Sequence, residues 1–204
     1  MTNEKSAQKI VSPPNSPSAE GLAKAAGAAA KGRGPAPVHL WNPDFCGDLD
    51  IRIAKDGLWY YLGTPIGRAP LVKLFSNILK REGDAYFLVT PAEKVGIKVD
   101  DAPLFVVDFE VEGSGRGQSL RLITKTEEEV TADGDHAIRV ERDAVTGEPS
   151  PYVHVRSGLD ARIDRKTFYR LIELGSHEPR DGADWFGLWS AGCFFPIIPS
   201  AELT

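Results

Sequence analysis

The sequence predicts an α+β protein of two small domains built from duplicated ββαββ units, its C-terminal half a curved antiparallel sheet or partial barrel. Three observations carry that expectation. GTPIGRAPLVKLFSNIL, from Gly63, and DARIDRKTFYRLIEL, from Asp160, share one grammar: an extended run, an arginine and an apolar helical stripe. Each helical stripe is preceded by two strand-like segments joined at a glycine turn, and each is followed by two more apolar segments. Between the copies lies a β-rich stretch, so antiparallel strands dominate the second half.

The first unit starts near His39. DLDIRIA alternates as a half-buried strand does, Asp56-Gly57 has the chemistry of a hairpin turn, and LWYYLG returns as a second strand. Pro70 suits the first turn of a helix, and Leu71, Val72, Phe75, Ile78 and Leu79 fall on one helical face. Gly83 is the expected helix stop, with AYFLVT and VGIKV as the closing strands.

The second unit reads in the same order. PYVHVR is a strand, Ser157-Gly158 the turn and LDARI the returning strand. Asp164 can cap a helix with the stripe Phe168, Leu171 and Ile172, Gly175 ends it, and FGLWS and FFPII follow. Gly57 corresponds to Gly158, Ile66 to Ile163, Arg68 to Arg165, Leu71 to Phe168 and Thr90 to Ser190, which is the pattern of an internal duplication. In the intervening stretch PLFVVDFEVE and QSLRLITK flank GSGRG, and HAIRVER follows the turn ADGD. GSGRG lacks the Lys-Ser/Thr ending of a phosphate loop and reads as a hairpin turn.

Residues 1–37 have no aromatic side chain and carry SPPNSPS and GRGPAP around an Ala/Gly run, which predicts a disordered tail or a partner-docking arm. Gly21 and Gly27 weaken any helix there. The expected organisation is thus a tail over 1–37, an N-terminal domain over 38–102 and a C-terminal domain over 103–204.

The chain has 204 residues, 42% hydrophobic and 26% charged, with a net charge of −5. Its first 37 residues carry +3 and the remainder −8, and an acidic body repels a phosphate backbone, which argues against a nucleic-acid polymer as partner. No stretch approaches the ~18 apolar residues of a membrane span. Cys46 and Cys193 make no disulfide framework and no zinc spacing, so a reducing cytoplasm is expected.

DGLWYYLGTPIGRAPLVKLFSNILKREGDAYFLVTPAEKVGIKVDDAP, with VRSGLDARIDRKTFYRLIEL and WSAGCFF, resembles a bacterial family known as Domain of Unknown Function 1285. The resemblance covers nearly all of residues 40–198, and TPAEK and LDARIDR are its most specific pieces. It implies a duplicated core, a C-terminal domain similar to a pleckstrin-homology fold, and a signalling-related ligand site between the domains for something nucleotide-like. The chain departs from the expected pattern in CFFPIIPS, where Pro196 and Pro199 interrupt the last strand.

Candidate site residues follow from local chemistry. Arg68 and Arg165 each precede a helix start, where free N–H groups favour an anion and a guanidinium adds a bidentate fork; a structural ion pair is the competing reading. In TPAEK, Thr90 and Glu93 fit a capping box, with Glu93 and Lys94 as possible ligand contacts. Ser190 in GLWSAGC lacks the first glycine of a nucleophile elbow and has no histidine after it, so it reads as a turn serine at the same seam. The four histidines show no metal-site spacing, and Trp59 and Trp189 read as core.

The sequence therefore predicts a non-catalytic binding protein, without cofactor or metal, holding a small anionic ligand near Arg68, Lys94, Arg165, Glu93 and Ser190. The alternative is a protein–protein interaction module with no small-molecule ligand.

Overall fold

A computed structural model of the chain describes residues 18–29 and 34–203. Among them, three α-helices accompany fifteen strands arranged in three sheets, a mixed α+β architecture. The N-terminal half holds β1 (Phe45–Ile53), β2 (Trp59–Tyr61), β3 (Thr64–Pro65), β4 (Leu79–Glu82), β5 (Ala85–Val89) and β6 (Lys94–Val99). They form one sheet in the order β3-β2-β1-β6-β5-β4, antiparallel throughout except where β1 runs parallel to β6. Leu49, Ile51 and Ile53 alternate inward along β1, and Trp59 stacks on Phe75 of the helix α2 (Ala69–Asn77) with centroids 6.3 Å apart.

The second half contributes β7 (Leu104–Glu112), β8 (Ser119–Thr124), β9 (Glu129–Thr131), β10 (Ile138–Arg142), β11 (Pro149–Arg156) and β12 (Leu159–Ile163). Their order is β10-β11-β12-β7-β8-β9, with β12 parallel to β7. Register shifts in β7 and β11 bend this sheet into a curved half-barrel, as bulges do. The helix α3 (Arg165–Ile172) then leads to a three-stranded meander of β13 (Ser176–Arg180), β14 (Ala183–Ser190) and β15 (Cys193–Pro199).

Each repeated unit has one strand more after its helix than the ββαββ reading allows. α2 ends at Asn77 and Leu79 pairs with Leu88, so the stretch expected to finish the helix is β4 instead. Gly83, with φ of +60°, sits in the two-residue turn to β5 and is not a helix stop. In the second copy Asp181 and Gly182 both have positive φ and close the β13–β14 hairpin, the geometry that Asp-Gly favours. Gly175 is required by packing, since a Cβ there would come within 2.2 Å of the Phe186 ring.

Two further expectations are corrected. TPAEK starts no helix: Thr90 Oγ1 accepts the N–H groups of Ala92 and Glu93 at 3.3 and 3.2 Å, but the chain turns directly into β6. Within the expected tail, Ala19–Ala29 forms the helix α1, which packs on α2 with Leu22 and Ala26 fully buried. The neighbouring helix supplies the apolar partner that this composition lacks by itself. Residues 1–17 and 30–33 of the expected tail lie outside the described residues. Pro196 and Pro199 do pair with β14, because β15 is the edge of its sheet and proline there forfeits no inner ladder bond. No described helix is long and apolar enough to cross a membrane.

Candidate functional site

A cleft of about 360 Å³ opens where the two halves meet. Its first wall is the β1–β2 turn, with Lys55 and Asp56; its second comes from Phe105 of β7 and from the start of α3. Asp164 sets this geometry. Its carboxylate accepts the Thr167 N–H at 2.6 Å, capping α3, while Thr167 Oγ1 donates to the Val107 carbonyl at 2.9 Å and ties the helix to β7. Because Asp164 takes the cap, Arg165 is the first helical residue and extends over the mouth of the cleft.

The Arg165 side chain is 76% exposed. Its guanidinium lies 5.6 Å from the Tyr169 ring centroid and donates to the Tyr169 hydroxyl at 3.3 and 3.2 Å, with Glu148 at 3.6 Å. An exposed pair of this length is weak, so an incoming anion can displace it. Arg162 is committed to Asp101 at 2.6 Å, and Asp101 also accepts the Tyr152 hydroxyl at 2.8 Å. Among the described residues Lys55 has no ion-pair partner and Arg165 has only the weak pair with Glu148, so these are the more available cations of a cleft that Phe105, Phe168 and Tyr169 also line.

Away from the cleft, polar contacts join the two halves. Arg156 of β11 pairs with Glu128 at 2.7 Å and donates to the Ser76 carbonyl at the end of α2 at 2.9 Å. Arg81 of β4 donates to the Gly158 carbonyl at 3.1 Å. One oxygen of Glu128, Oε2, is buried without a hydrogen-bond partner.

The two halves coincide with two family models. One, a domain of unknown function (DUF1285), N-terminal domain, matches residues 36–102; the other, a protein of unknown function (DUF1285), C-terminal domain, matches residues 103–197. The chain belongs to the DUF1285 family. A crystal structure of a DUF1285 family protein from Silicibacter pomeroyi DSS-3 is 58% identical, with a TM-score of 0.80 over 89% of this chain and 97% of that one. A DUF1285 family protein from Shewanella baltica OS155 is 32% identical over 61% of this chain and 91% of its own, with a TM-score of 0.48. No curated protein matches.

Of the five residues expected as ligand contacts in this DUF1285 protein, only Arg165 lines the cleft. Arg68 is the N-cap of α2 and borders a groove against α1. Lys94 pairs with Glu82 at 3.0 Å and lies 5.0 Å from the Phe87 ring centroid, in a hollow on the N-terminal sheet. Lys80 and Lys94 together hold the Glu82 carboxyl below its usual range, Lys80 more strongly. Glu93 serves its turn through the backbone, its N–H bonding Thr90 Oγ1 and its carbonyl accepting the Thr90 N–H at 2.9 Å.

Ser190 is fully buried at the end of β14, and its Oγ accepts the Leu120 N–H at 2.8 Å. These residues do not share one cleft: Arg165, Arg68 and Lys94 line three separate hollows. Sequence reasoning missed Lys55, Phe105 and Tyr169. Tyr169 had a local signal, four residues after Arg165 and hence beside it on the helix; Lys55 and Phe105 meet only through tertiary packing.

Trp59 is buried core, whereas Trp189 is half-buried and donates its indole N–H to Glu178 at 2.9 Å. Arg116, at the tip of GSGRG, reaches the same carboxylate at 2.9 Å and lies 5.6 Å from the Trp189 ring centroid. His136 and His154 each contact a carboxylate through Nδ1, Asp133 and Asp160 respectively.

Proposed function

We propose that this DUF1285 protein is a cytoplasmic, non-catalytic binding protein that holds a small anionic ligand with a planar, nucleotide-like ring in the cleft between its halves, in a signalling role. The observation that carries this reading is the exposed Arg165 guanidinium beside the Tyr169 ring, in an interdomain cleft that Phe105 and Phe168 also line. The volume of about 360 Å³ falls in the range of small-molecule sites, and the lining mixes aromatic and aliphatic side chains with charged groups of both signs. A guanidinium beside an aromatic face suits a ligand that carries both a ring and a phosphate or carboxylate.

Because the walls come from both halves, a ligand that contacts both favours the arrangement it binds better, by the difference in its affinities for the two arrangements. The test is a thermal-shift screen of the full chain against a nucleotide panel, followed by titration of any hit into Arg165→Ala and Lys55→Ala. The expected result is a dose-dependent rise in melting temperature that both substitutions weaken. A flat panel, or a hit indifferent to both substitutions, overturns the reading in favour of a protein-interaction module.

A further inference from the structure

We infer that the groove between α1 and the start of α2 docks an acidic amphipathic segment of a partner protein. The groove has a volume of about 700 Å³ and lies apart from the interdomain cleft, with no lining residue in common. Half-buried Ala23, Leu71 and Leu74 give it an apolar surface, while Lys24 of α1 and Arg68 at the head of α2 stand exposed beside it. Among the described residues no carboxylate lines it.

The charge pattern decides the occupant. The whole chain carries −5, yet both charged groups here are cationic. Neither Lys24 nor Arg68 has an ion-pair partner among the described residues, and here the two border one apolar groove. Two unneutralised cations flanking an apolar strip complement a segment that carries leucine-like anchors on one face and carboxylates beside them, the helix-in-groove mode of recognition. A small molecule would need most of its surface enclosed, which a groove bordered by exposed Gly67, Arg68, Ala69 and Pro70 does not provide. The site is incomplete without α1, whose Ala23 and Lys24 form one wall of the groove, so the segment Ala19–Ala29 contributes to a binding surface as well as packing on α2.

The experiment is fluorescence anisotropy of a labelled synthetic peptide with leucines at helical spacing and glutamates elsewhere, titrated with the full chain. Saturable binding is expected, weaker at high salt, and reduced about tenfold or more in Lys24→Glu/Arg68→Glu, whose exposed positions leave the melting temperature unchanged. The same peptide with lysines replacing glutamates should not bind, and Arg165→Ala should bind like the unsubstituted protein, which separates this groove from the cleft. Absence of binding at low salt overturns the inference, as does equal binding by the charge-reversed variant or by the lysine peptide. Binding to phosphatidylglycerol vesicles that requires Lys24 and Arg68, without binding to the acidic peptide, overturns it in favour of a membrane surface.

Discussion

Gly57 approaches Phe105 so closely that a Cβ at position 57 would lie 2.8 Å from the Cβ and Cγ of the phenylalanine. Its φ of +72° is also one that side chains resist. The contact seats the β1–β2 turn of the first half on β7 of the second and thereby sets the spacing between Lys55 and Phe105 across the cleft. Gly57→Ala should cost about 1–3 kcal/mol, through overpacking and backbone strain together. Urea unfolding measures the loss; an unchanged midpoint would mean that the turn can leave Phe105 freely.

Arg156 makes the polar counterpart of that contact, reaching the Ser76 carbonyl of the first half while pairing with Glu128 in its own. The side chains of this pair are only 17% and 15% exposed, so deleting one partner strands the other in a poorly solvated place. Arg156→Ala should destabilise the protein by about 3 kcal/mol, while Arg156→Met combined with Glu128→Leu should recover most of that loss. A double-mutant cycle in urea decides this, and simple additivity of the two single substitutions would count against a coupled pair.

Ser190 gives a sharper distinction between structure and chemistry. Its Oγ is the acceptor for a buried backbone N–H, so Ser190→Ala leaves the Leu120 N–H without its partner and should cost about 1–3 kcal/mol. Amide exchange at Leu120 should quicken more than at its neighbours in β8. A Ser190→Ala protein as stable as its parent would show that the hydroxyl is not a structural acceptor.

Alkaline pH should weaken the fold through Tyr152. Burial first, and then the hydrogen bond to Asp101, push its phenol up to about 12, above the ordinary tyrosine value near 10. The folded state thus holds the proton more tightly than the unfolded chain. The resulting stability is fully present below about pH 10 and is lost as pH rises toward about 12. Denaturant midpoints across that window should fall, and Tyr152→Phe should fall less steeply. A parallel decline in both would assign the effect to other groups.

The sequence read its own local chemistry well. The Asp56-Gly57 and Ser157-Gly158 turns, the Asp164 cap, the inward faces of β1 and α3, and the hairpin around GSGRG all rest on neighbours in the chain. Where the reading failed, either a local signal was overlooked or the decisive partner was distant. Asp181-Gly182 was a hairpin signal available in the sequence, and it would have revealed β13. Leu79, by contrast, fits a helical stripe and a strand equally well, and only its pairing with Leu88 chooses. Of the five residues expected at one site, Arg165 alone lies in the cleft, because Arg68 and Lys94 are placed by separate packing contacts in the first half.

By itself, the sequence determined two copies of a strand–turn–strand–helix grammar, the glycine turns within them and an arginine at each helix head. Tertiary structure alone decided what each copy pairs with. The hairpin of the first copy takes β6 as its parallel neighbour through β1, whereas that of the second takes β7 through β12 and leaves β13, β14 and β15 as a sheet apart. Turns and caps are set within a few residues, so similar segments form them alike. Strand neighbours, the docking of α1 and the walls of the cleft depend on apolar burial between segments far apart in the chain, and equivalent local sequences settle differently when the surfaces offered to them differ.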